Sequence, residues 1–219
     1  MKLKFAKDRT DYVVLFAKPC KKDSVLTIGV ANIPEIERKI ESSVKKCICI
    51  DMDKVKICGA KNYLKKTIFI HGDITNPPKN LFGKFDTVIM LEVLEHIDKD
   101  FETLKIIYEL LKKNGKLIIS VPNKHFLHLI NPVRYTQHKR HYSISEITLL
   151  LEKVGFKIKH VNTVESPKLI FDLYVHLFCK YILHKKVKFG IFSGKDDKTY
   201  EQINTPHSAL DCFVVAVKP

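Results

Sequence analysis

Short apolar segments rich in β-branched residues alternate along the chain with amphipathic segments. Five apolar segments lie at 25–30, 47–51, 67–70, 87–91 and 116–121. Two further segments, 157–164 and 212–217, also have the pattern of strands. Because the first five are apolar almost without interruption, we expect strands covered on both faces, as in a parallel sheet.

Helical spacing separates these strands. The segment 34–44 places Ile36, Ile40 and Val44 on one side, and a second helix is predicted over 100–113, with a C-cap at Asn114-Gly115. Ser143 and Glu146 form a capping-box pattern that opens a helix closed by Gly155. The alternation predicts an α/β fold with right-handed crossovers, whereas residues 12–16 fit either a short strand or a helix.

Length and composition suit one domain over residues 1–219. The 219 residues are 45% hydrophobic, and no apolar run free of charge is long enough to span a membrane. Charges in the first eight residues interrupt any signal-peptide core, so a cytoplasmic location is expected. We treat residues 166–211 as an insertion before the last strand.

The formal net charge is +14, with lysines spread along the chain rather than clustered. Such charge steers anionic partners, including nucleic acid or a membrane surface, but an ordinary solvated surface has the same composition. The six cysteines show no paired C-x-x-C spacing, so no metal site is expected.

Acidic residues follow three successive predicted strands. Asp51 is well placed to accept hydrogen bonds from a ribose diol, and Asp73 can face the exocyclic amine of a purine, while Glu92 follows the fourth strand. These acids also have structural interpretations. Asp51 could cap a helix and Asp73 could organise a turn, while neighbouring Asp53 is favoured as a helix cap. Their occurrence in order predicts an adenosine pocket.

Six segments of the chain together resemble the motifs of class I S-adenosylmethionine-dependent methyltransferases, and within them the small-molecule branch with ubiquinone-type and cell-envelope sugar enzymes. The most specific are Phe85–Ile97 (FDTVIMLEVLEHI) and Leu110–Asn123 (LLKKNGKLIISVPN). The others are 25–29, 48–53, 72–74 and 151–156. The resemblance runs from about residue 24 to 164, with 212–217 as the closing strand.

This resemblance implies a Rossmann-like sheet of seven mostly parallel strands with an antiparallel last strand and helices on both faces. It implies S-adenosylmethionine as cofactor. Asp51 would bind the ribose hydroxyls, Met52 would lie against the adenine, and Asp73 would face the adenine amino group with a backbone contact from Ile74. Leu91 and Glu92 would border the methionine end.

The first loop departs from the glycine-rich pattern of that family. Of that pattern only Gly29 remains. Thr27 stands where the family has an acidic residue, and Ala31 and Ile33 stand at the next two glycine positions. Glycine serves in such loops where the backbone needs positive φ or passes close to a ligand. Either the loop is rebuilt around Asn32 and Pro34, with Pro34 opening the following helix, and still binds the cofactor, or the chain is a non-catalytic binding protein with a methyltransferase fold.

Candidates for acceptor chemistry lie between the fifth strand and the capped helix. His138 and His141 suit a general base, and Arg134 and Arg140 could hold an anionic group of a small-molecule acceptor. The alternative is a solvated basic loop. His96 is expected to pack or to cap.

The segment 169–188 is apolar nearly all round and then basic, which is compatible with a lid, a homodimer face or contact with a membrane surface. The leading hypothesis is therefore methyl transfer to oxygen or nitrogen of a small molecule, with a sugar or lipid-linked precursor as the expected class of acceptor. An RNA methyltransferase fits the charge, but nucleic acid is disfavoured as a partner because no aromatic and basic stacking pattern is present. A nicotinamide dehydrogenase is disfavoured because no G-x-G-x-x-G follows the first strand.

Overall fold

A seven-stranded sheet flanked by helices makes up the described part of the chain. The computed structural model describes residues 9–31, 34–124, 140–163, 175, 178–179, 183 and 211–219. The strands are β1 (Ser24–Ile28), β2 (Lys46–Asp51), β3 (Thr67–His71), β4 (Phe85–Leu91), β5 (Leu111–Pro122), β6 (Lys157–Thr163) and β7 (Asp211–Val217). The helices are α1 (Arg9–Ala17), α2 (Glu35–Ile40), α3 (Lys54–Lys61), α4 (Asp100–Leu110) and α5 (Ile144–Val154), and short 3-10 turns lie at Lys79–Leu81 and Leu94–His96.

The strand order across the sheet is β3-β2-β1-β4-β5-β7-β6. The neighbours from β3 to β5 pair in parallel, whereas β7 runs antiparallel to both β5 and β6. This arrangement confirms the predicted fold of mostly parallel strands with an antiparallel last strand. It also brings the carboxyl ends of five neighbouring parallel strands to one edge of the sheet.

Two apolar layers bury the sheet. On one face, Leu26, Val88 and Ile119 pack with residues of α4 and α5. On the other face, Val25 and Ile118 pack with α1 and α2, while α3 covers β2 through a smaller cluster. Residues 25 and 26 point to opposite faces and both are fully buried, which explains why the strands lack a polar side.

The predicted helix 100–113 is too long at its end, because α4 stops at Leu110 and β5 begins at Leu111. Asn114 has a φ of +61°, as a helix C-cap would, but its N–H donates to the Lys218 carbonyl at 2.8 Å. The Lys218 N–H in turn donates to the Gly115 carbonyl at 2.9 Å. The turn therefore belongs to the strand pairing and not to the helix.

Two other local expectations are settled by the structure. The capping box is confirmed, since the Ser143 hydroxyl accepts from the Glu146 N–H and the Glu146 carboxylate accepts from the Ser143 N–H. Gly155 ends α5 with a φ of +112°, as predicted. Residues 12–16, left open between strand and helix, lie within α1.

A buried polar contact fastens α1 to the edge strand β6. The Tyr12 hydroxyl lies 2.8 Å from His160 Nε2 and accepts a hydrogen bond from Asn162 Nδ2 at 2.9 Å. The Phe16 ring stacks on the His160 ring at 4.4 Å between centroids. Burial raises the pKa of Tyr12 to about 12, although the bond from Asn162 opposes the shift, and burial lowers the pKa of His160.

These contacts predict a pH dependence of stability. Because the pKa of His160 is lower in the folded than in the unfolded chain, its protonation favours unfolding. The contribution is fully present above the unfolded pKa of about 6.5 and is lost as pH falls below it. Urea unfolding between pH 7.5 and about pH 5 should therefore show a shallower loss of unfolding free energy in His160→Gln than in the wild type. Parallel slopes in the two proteins would contradict this account.

Candidate functional site

A cavity of about 570 Å³ opens at the edge of the sheet where β1, β2, β3 and β4 end. The lining includes every described residue predicted for cofactor binding: Gly29, Asp51, Met52, Asp73, Ile74, Leu91 and Glu92. Asn32 and Ile33 lie outside the described residues. The predicted residues meet because the parallel strands carry them to the same edge of the sheet.

Gly29 occupies the turn at the end of β1 because its backbone needs the absence of a side chain. Its φ is +82°, and a Cβ added there would lie 2.7 Å from Val93 Cγ2. Its N–H donates to the Ile50 carbonyl at 2.9 Å. Neighbouring Ala31 lines the cavity and is exposed, so the methyl group that replaces a family glycine lies in open space.

The Asp51 carboxylate joins the β1 and β2 loops. Oδ2 accepts from the Val30 N–H at 2.5 Å, and Oδ1 accepts from the Asp53 N–H at 2.6 Å. A carboxylate oxygen accepts more than one hydrogen bond, so Asp51 keeps acceptor capacity toward the cavity. Asp53 is the N-cap of α3, as favoured from the sequence, and accepts from the N–H groups of Val55 and Lys56.

Asp73 and Met52 form the outer rim of the cavity. Asp73 is exposed, and its Oδ1 accepts from the Thr75 N–H at 2.8 Å, so it organises a turn while facing the cavity. Met52 is 67% exposed, so its apolar side chain is accessible at the rim. Ile74 is buried in the main core, which fixes the loop behind Asp73.

Glu92 follows β4 in a left-handed backbone conformation with φ of +53°. The Ser120 hydroxyl donates to Glu92 Oε1 at 2.7 Å, and the Glu92 N–H donates to the Ser120 carbonyl at 3.0 Å. Such a conformation costs a non-glycine residue about 1–2 kcal/mol, so neighbouring contacts must hold it. Here β5 holds Glu92 at the cavity.

Two glutamates of α2 reach the cavity and were missed from the sequence. Glu35 is partly exposed and lies 3.9 Å from Arg38, whereas Glu37 is only 4% exposed. Burial raises the pKa of Glu37, while hydrogen bonds involving the Thr27 hydroxyl, its own backbone and the Cys49 thiol oppose the shift. The sequence feature that could have identified Glu37 is its position beside Ile36 and Ile40, the apolar side of the predicted helix, because a charged residue there borders the core.

The cavity is acidic although the chain as a whole is strongly basic. Among the described residues, the lining carries five carboxyl groups: Glu35, Glu37, Asp51, Asp73 and Glu92. Lys56 and His96 line it as well, and His96 is exposed there, so of its two predicted roles, packing and capping, the first is wrong. A pocket of this composition suits a ligand with hydroxyl groups, amino groups and positive charge.

Of the residues predicted to bind the acceptor, those that the structure describes do not line this cavity. His138 and Arg134 lie outside the described residues, and neither Arg140 nor His141 is among the lining residues. Arg140 instead forms an ion pair with Asp100 at 2.5 Å and donates to the Asp98 carbonyl at 2.6 Å. Its role toward an acceptor stays a prediction.

Tyr142 completes a clasp with Arg140. Its hydroxyl donates to Asp100 Oδ2 at 2.8 Å, and its backbone pairs with the end of β5 through the Pro122 carbonyl and the Lys124 N–H. Partial burial would raise the pKa of Asp100, but the hydrogen bonds from Arg140 and Tyr142 outweigh it and lower that pKa. The clasp holds residues 124 and 140 close to the start of α4.

The predictions about membrane contact, metal binding and the insertion can be compared only with the described residues. In the part of the chain that is described, no helix is long and apolar enough to cross a membrane. Nor do those residues include three or more His, Cys, Asp or Glu grouped as a metal site would require. Most of the insertion at 166–211 and of the segment 169–188 lies outside them.

Comparison with known proteins gives one family. A family model described as a methyltransferase domain matches residues 6–161. A protein of Mycolicibacterium smegmatis, named as a probable S-adenosylmethionine-dependent methyltransferase, is 23% identical over 124 residues. The match takes in 55% of this chain and 47% of that protein, so the chain spans about half the length of this relative.

Solved structures share the fold at low identity. A methyltransferase candidate from Bacillus halodurans superposes with a TM-score of 0.68 at 15% identity, covering 96% of this chain and 99% of that one. An S-adenosylmethionine-dependent methyltransferase from Archaeoglobus fulgidus gives 0.65 at 17% identity, covering 95% and 92%. At this identity the likeness is one of fold.

The position of Gly29 predicts a specific steric cost. Gly29→Ala should lower the free energy of unfolding by about 1–3 kcal/mol, because the new methyl group meets Val93 and the backbone φ is positive. In a Val93→Ala background the contact is removed, so the same change should cost only about 1 kcal/mol. Urea unfolding of the four proteins measures the difference; equal costs in both backgrounds would exclude the contact with Val93.

Proposed function

Because the chain belongs to the methyltransferase-domain family, whose model matches residues 6–161, we propose that it transfers a methyl group from S-adenosylmethionine to oxygen or nitrogen of a small molecule. S-adenosylmethionine is the cofactor of this family. The observation that carries the proposal is the acidic cavity at the carboxyl edge of the sheet, together with the side-chain-free turn at Gly29.

The residues of the cavity fit that cofactor. Asp51 would accept from the ribose hydroxyls, since both of its oxygens face the loop and keep acceptor capacity. Exposed Met52 offers an apolar face for the adenine ring, and Asp73 an acceptor for its amino group. The remaining contacts would come from Gly29, Asn32, Ile74, Leu91 and Glu92.

The cofactor supplies a methyl group on a positively charged sulfur atom, which already carries a good leaving group. What remains for the chain is to align the acceptor and to exclude water, and alignment alone can lower a barrier by about 7–11 kcal/mol. The loops after β1 and β4 support this task, because Asp51 and Ser120 fix their backbones. A base is needed only if the acceptor must lose a proton.

His138 and His141 are proposed for that base, and Arg134 and Arg140 for an anionic group of the acceptor. Arg140 uses two guanidinium nitrogens on Asp100 and Asp98. A guanidinium has five N–H donors, so Arg140 can hold Asp100 and still donate to a further anion. The apolar and then basic segment 169–188 favours a sugar or lipid-linked precursor as acceptor.

Calorimetric titration with S-adenosylmethionine tests the cofactor step, and methyl transfer from radiolabelled S-adenosylmethionine tests the acceptor. A panel of sugars, phenols, amines and lipid-linked sugars should yield a labelled product, whereas total RNA should not. Absence of cofactor binding would support the non-catalytic alternative, and labelling of RNA alone would refute a small-molecule acceptor.

Asp51 and Asp53 form a matched pair for the pocket. Asp51→Asn removes a charge and an acceptor from the cavity, so the dissociation constant for S-adenosylmethionine should rise at least about tenfold. Asp53→Asn should leave it nearly unchanged, because asparagine is an equally good N-cap and Asp53 is not part of the lining. Calorimetry on both variants, with the fold checked by circular dichroism, decides; equal affinities would remove Asp51 from the site.

A further inference from the structure

We propose that Glu37 distinguishes the methyl donor from its demethylated product, because its buried carboxylate favours a cation in the cavity. The inference rests on the proposed function. When the methyl group leaves, the bonding electron pair stays on sulfur, so the product S-adenosylhomocysteine lacks the positive charge of S-adenosylmethionine. A buried carboxylate that lines the cavity interacts differently with the two ligands.

Glu37 is placed for this role by α2. It lines the cavity with 4% of its surface exposed. Burial raises its pKa, and the neighbouring Thr27 hydroxyl of β1 and Cys49 thiol of β2, both neutral groups, only partly oppose that shift. Among the described residues, no lysine or arginine forms an ion pair with Glu37, although Lys39 of the same helix pairs with Asp11.

The other carboxyl groups at the cavity differ from Glu37 in their surroundings. Asp73 is exposed, and Asp51 accepts two backbone hydrogen bonds, so water and fixed donors already stabilise their charge. Glu37 is only 4% exposed, so water stabilises its ionised form far less. It therefore gains more than Asp51 or Asp73 from a cation brought into the same cavity.

The titratable groups that interact electrostatically with Glu37 are the thiols of Cys47 and Cys49 on β2. Both thiols are neutral, since burial raises their pKa values. Glu35 on α2, Asp51 on β2 and Lys56 on α3 line the same cavity. The other charged groups nearby have partners elsewhere: Lys39 pairs with Asp11 of α1, Arg38 lies near Glu35, and Glu41 accepts from the N–H groups of Lys66 and Thr67.

Thermodynamic linkage predicts the direction of proton exchange when the donor binds. Burial raises the pKa of Glu37 in the empty cavity, and a bound cation lowers it again. Binding of the donor must therefore release a proton, and the affinity for the donor must increase as pH rises through the pKa of Glu37. The amino and carboxyl groups of the two ligands are the same, so their titration cancels when donor and product are compared.

Calorimetry on the wild-type protein provides the first test. Titration with S-adenosylmethionine in buffers of different ionisation enthalpy should reveal net proton release between about pH 5 and pH 7.5, and S-adenosylhomocysteine should release fewer protons. Equal proton counts for the two ligands would overturn the proposal. Because this measurement needs no variant, it holds even if a substitution at Glu37 prevents folding.

Glu37→Gln and Glu41→Gln form a matched pair, one within α2 and one at its C-terminal end. Glu37→Gln should weaken binding of S-adenosylmethionine about tenfold at pH 8, equivalent to one pKa unit of coupling, and leave S-adenosylhomocysteine within about twofold. It should also abolish the difference in proton release. Glu41→Gln removes the same charge outside the cavity lining, and its amide oxygen can still accept from the N–H groups of Lys66 and Thr67, so both affinities should stay near the wild-type values.

The outcomes separate this inference from the proposed function. If the wild type binds neither ligand, both fail. If it binds both ligands and Glu37→Gln preserves the ratio of their affinities, the cofactor site stands and the role of Glu37 is refuted. An equal change of that ratio in Glu41→Gln would refute it as well, because the effect would then belong to net charge and not to the buried carboxylate.

Discussion

The Asp51 carboxylate holds together the two loops on which the cavity depends. One of its oxygens receives the backbone N–H of Val30 after β1, and the other receives the N–H of Asp53 before α3. The same residue thus sets the spacing of two neighbouring strand ends and lines the cavity between them. The turn at Gly29 lies close to Val93, in the loop after β4, because glycine has no side chain to separate them.

The sheet could be predicted from the sequence because its strands carry their own signal. Buried parallel strands must be apolar on both faces, and residues 25–28 and 117–121 show this directly. The end of α4 could not be predicted in the same way. Asn114 and Gly115 have the composition of a helix cap, yet the contact that decides their role comes from Lys218, about a hundred residues along the chain.

The candidate site was predictable to the extent that topology determines it. Acids at strand ends must meet at one edge of a parallel sheet, so Asp51, Asp73 and Glu92 could be assigned together. Glu37 could not, because its burial arises from the packing of α2 on β1 and β2, which sequence spacing does not specify. Likewise, nothing in the basic run around Arg140 indicated that Asp100 would hold it.

The clasp formed by Arg140 and Tyr142 joins the two ends of the segment 125–139 beside the start of α4. For a segment with fixed, neighbouring ends, doubling its length adds only about 0.6 kcal/mol of closure entropy. The strand pairing and the Asp51 contacts do not involve this segment. Its length and sequence can therefore vary at little cost while the cavity at the carboxyl edge of the sheet stays as it is.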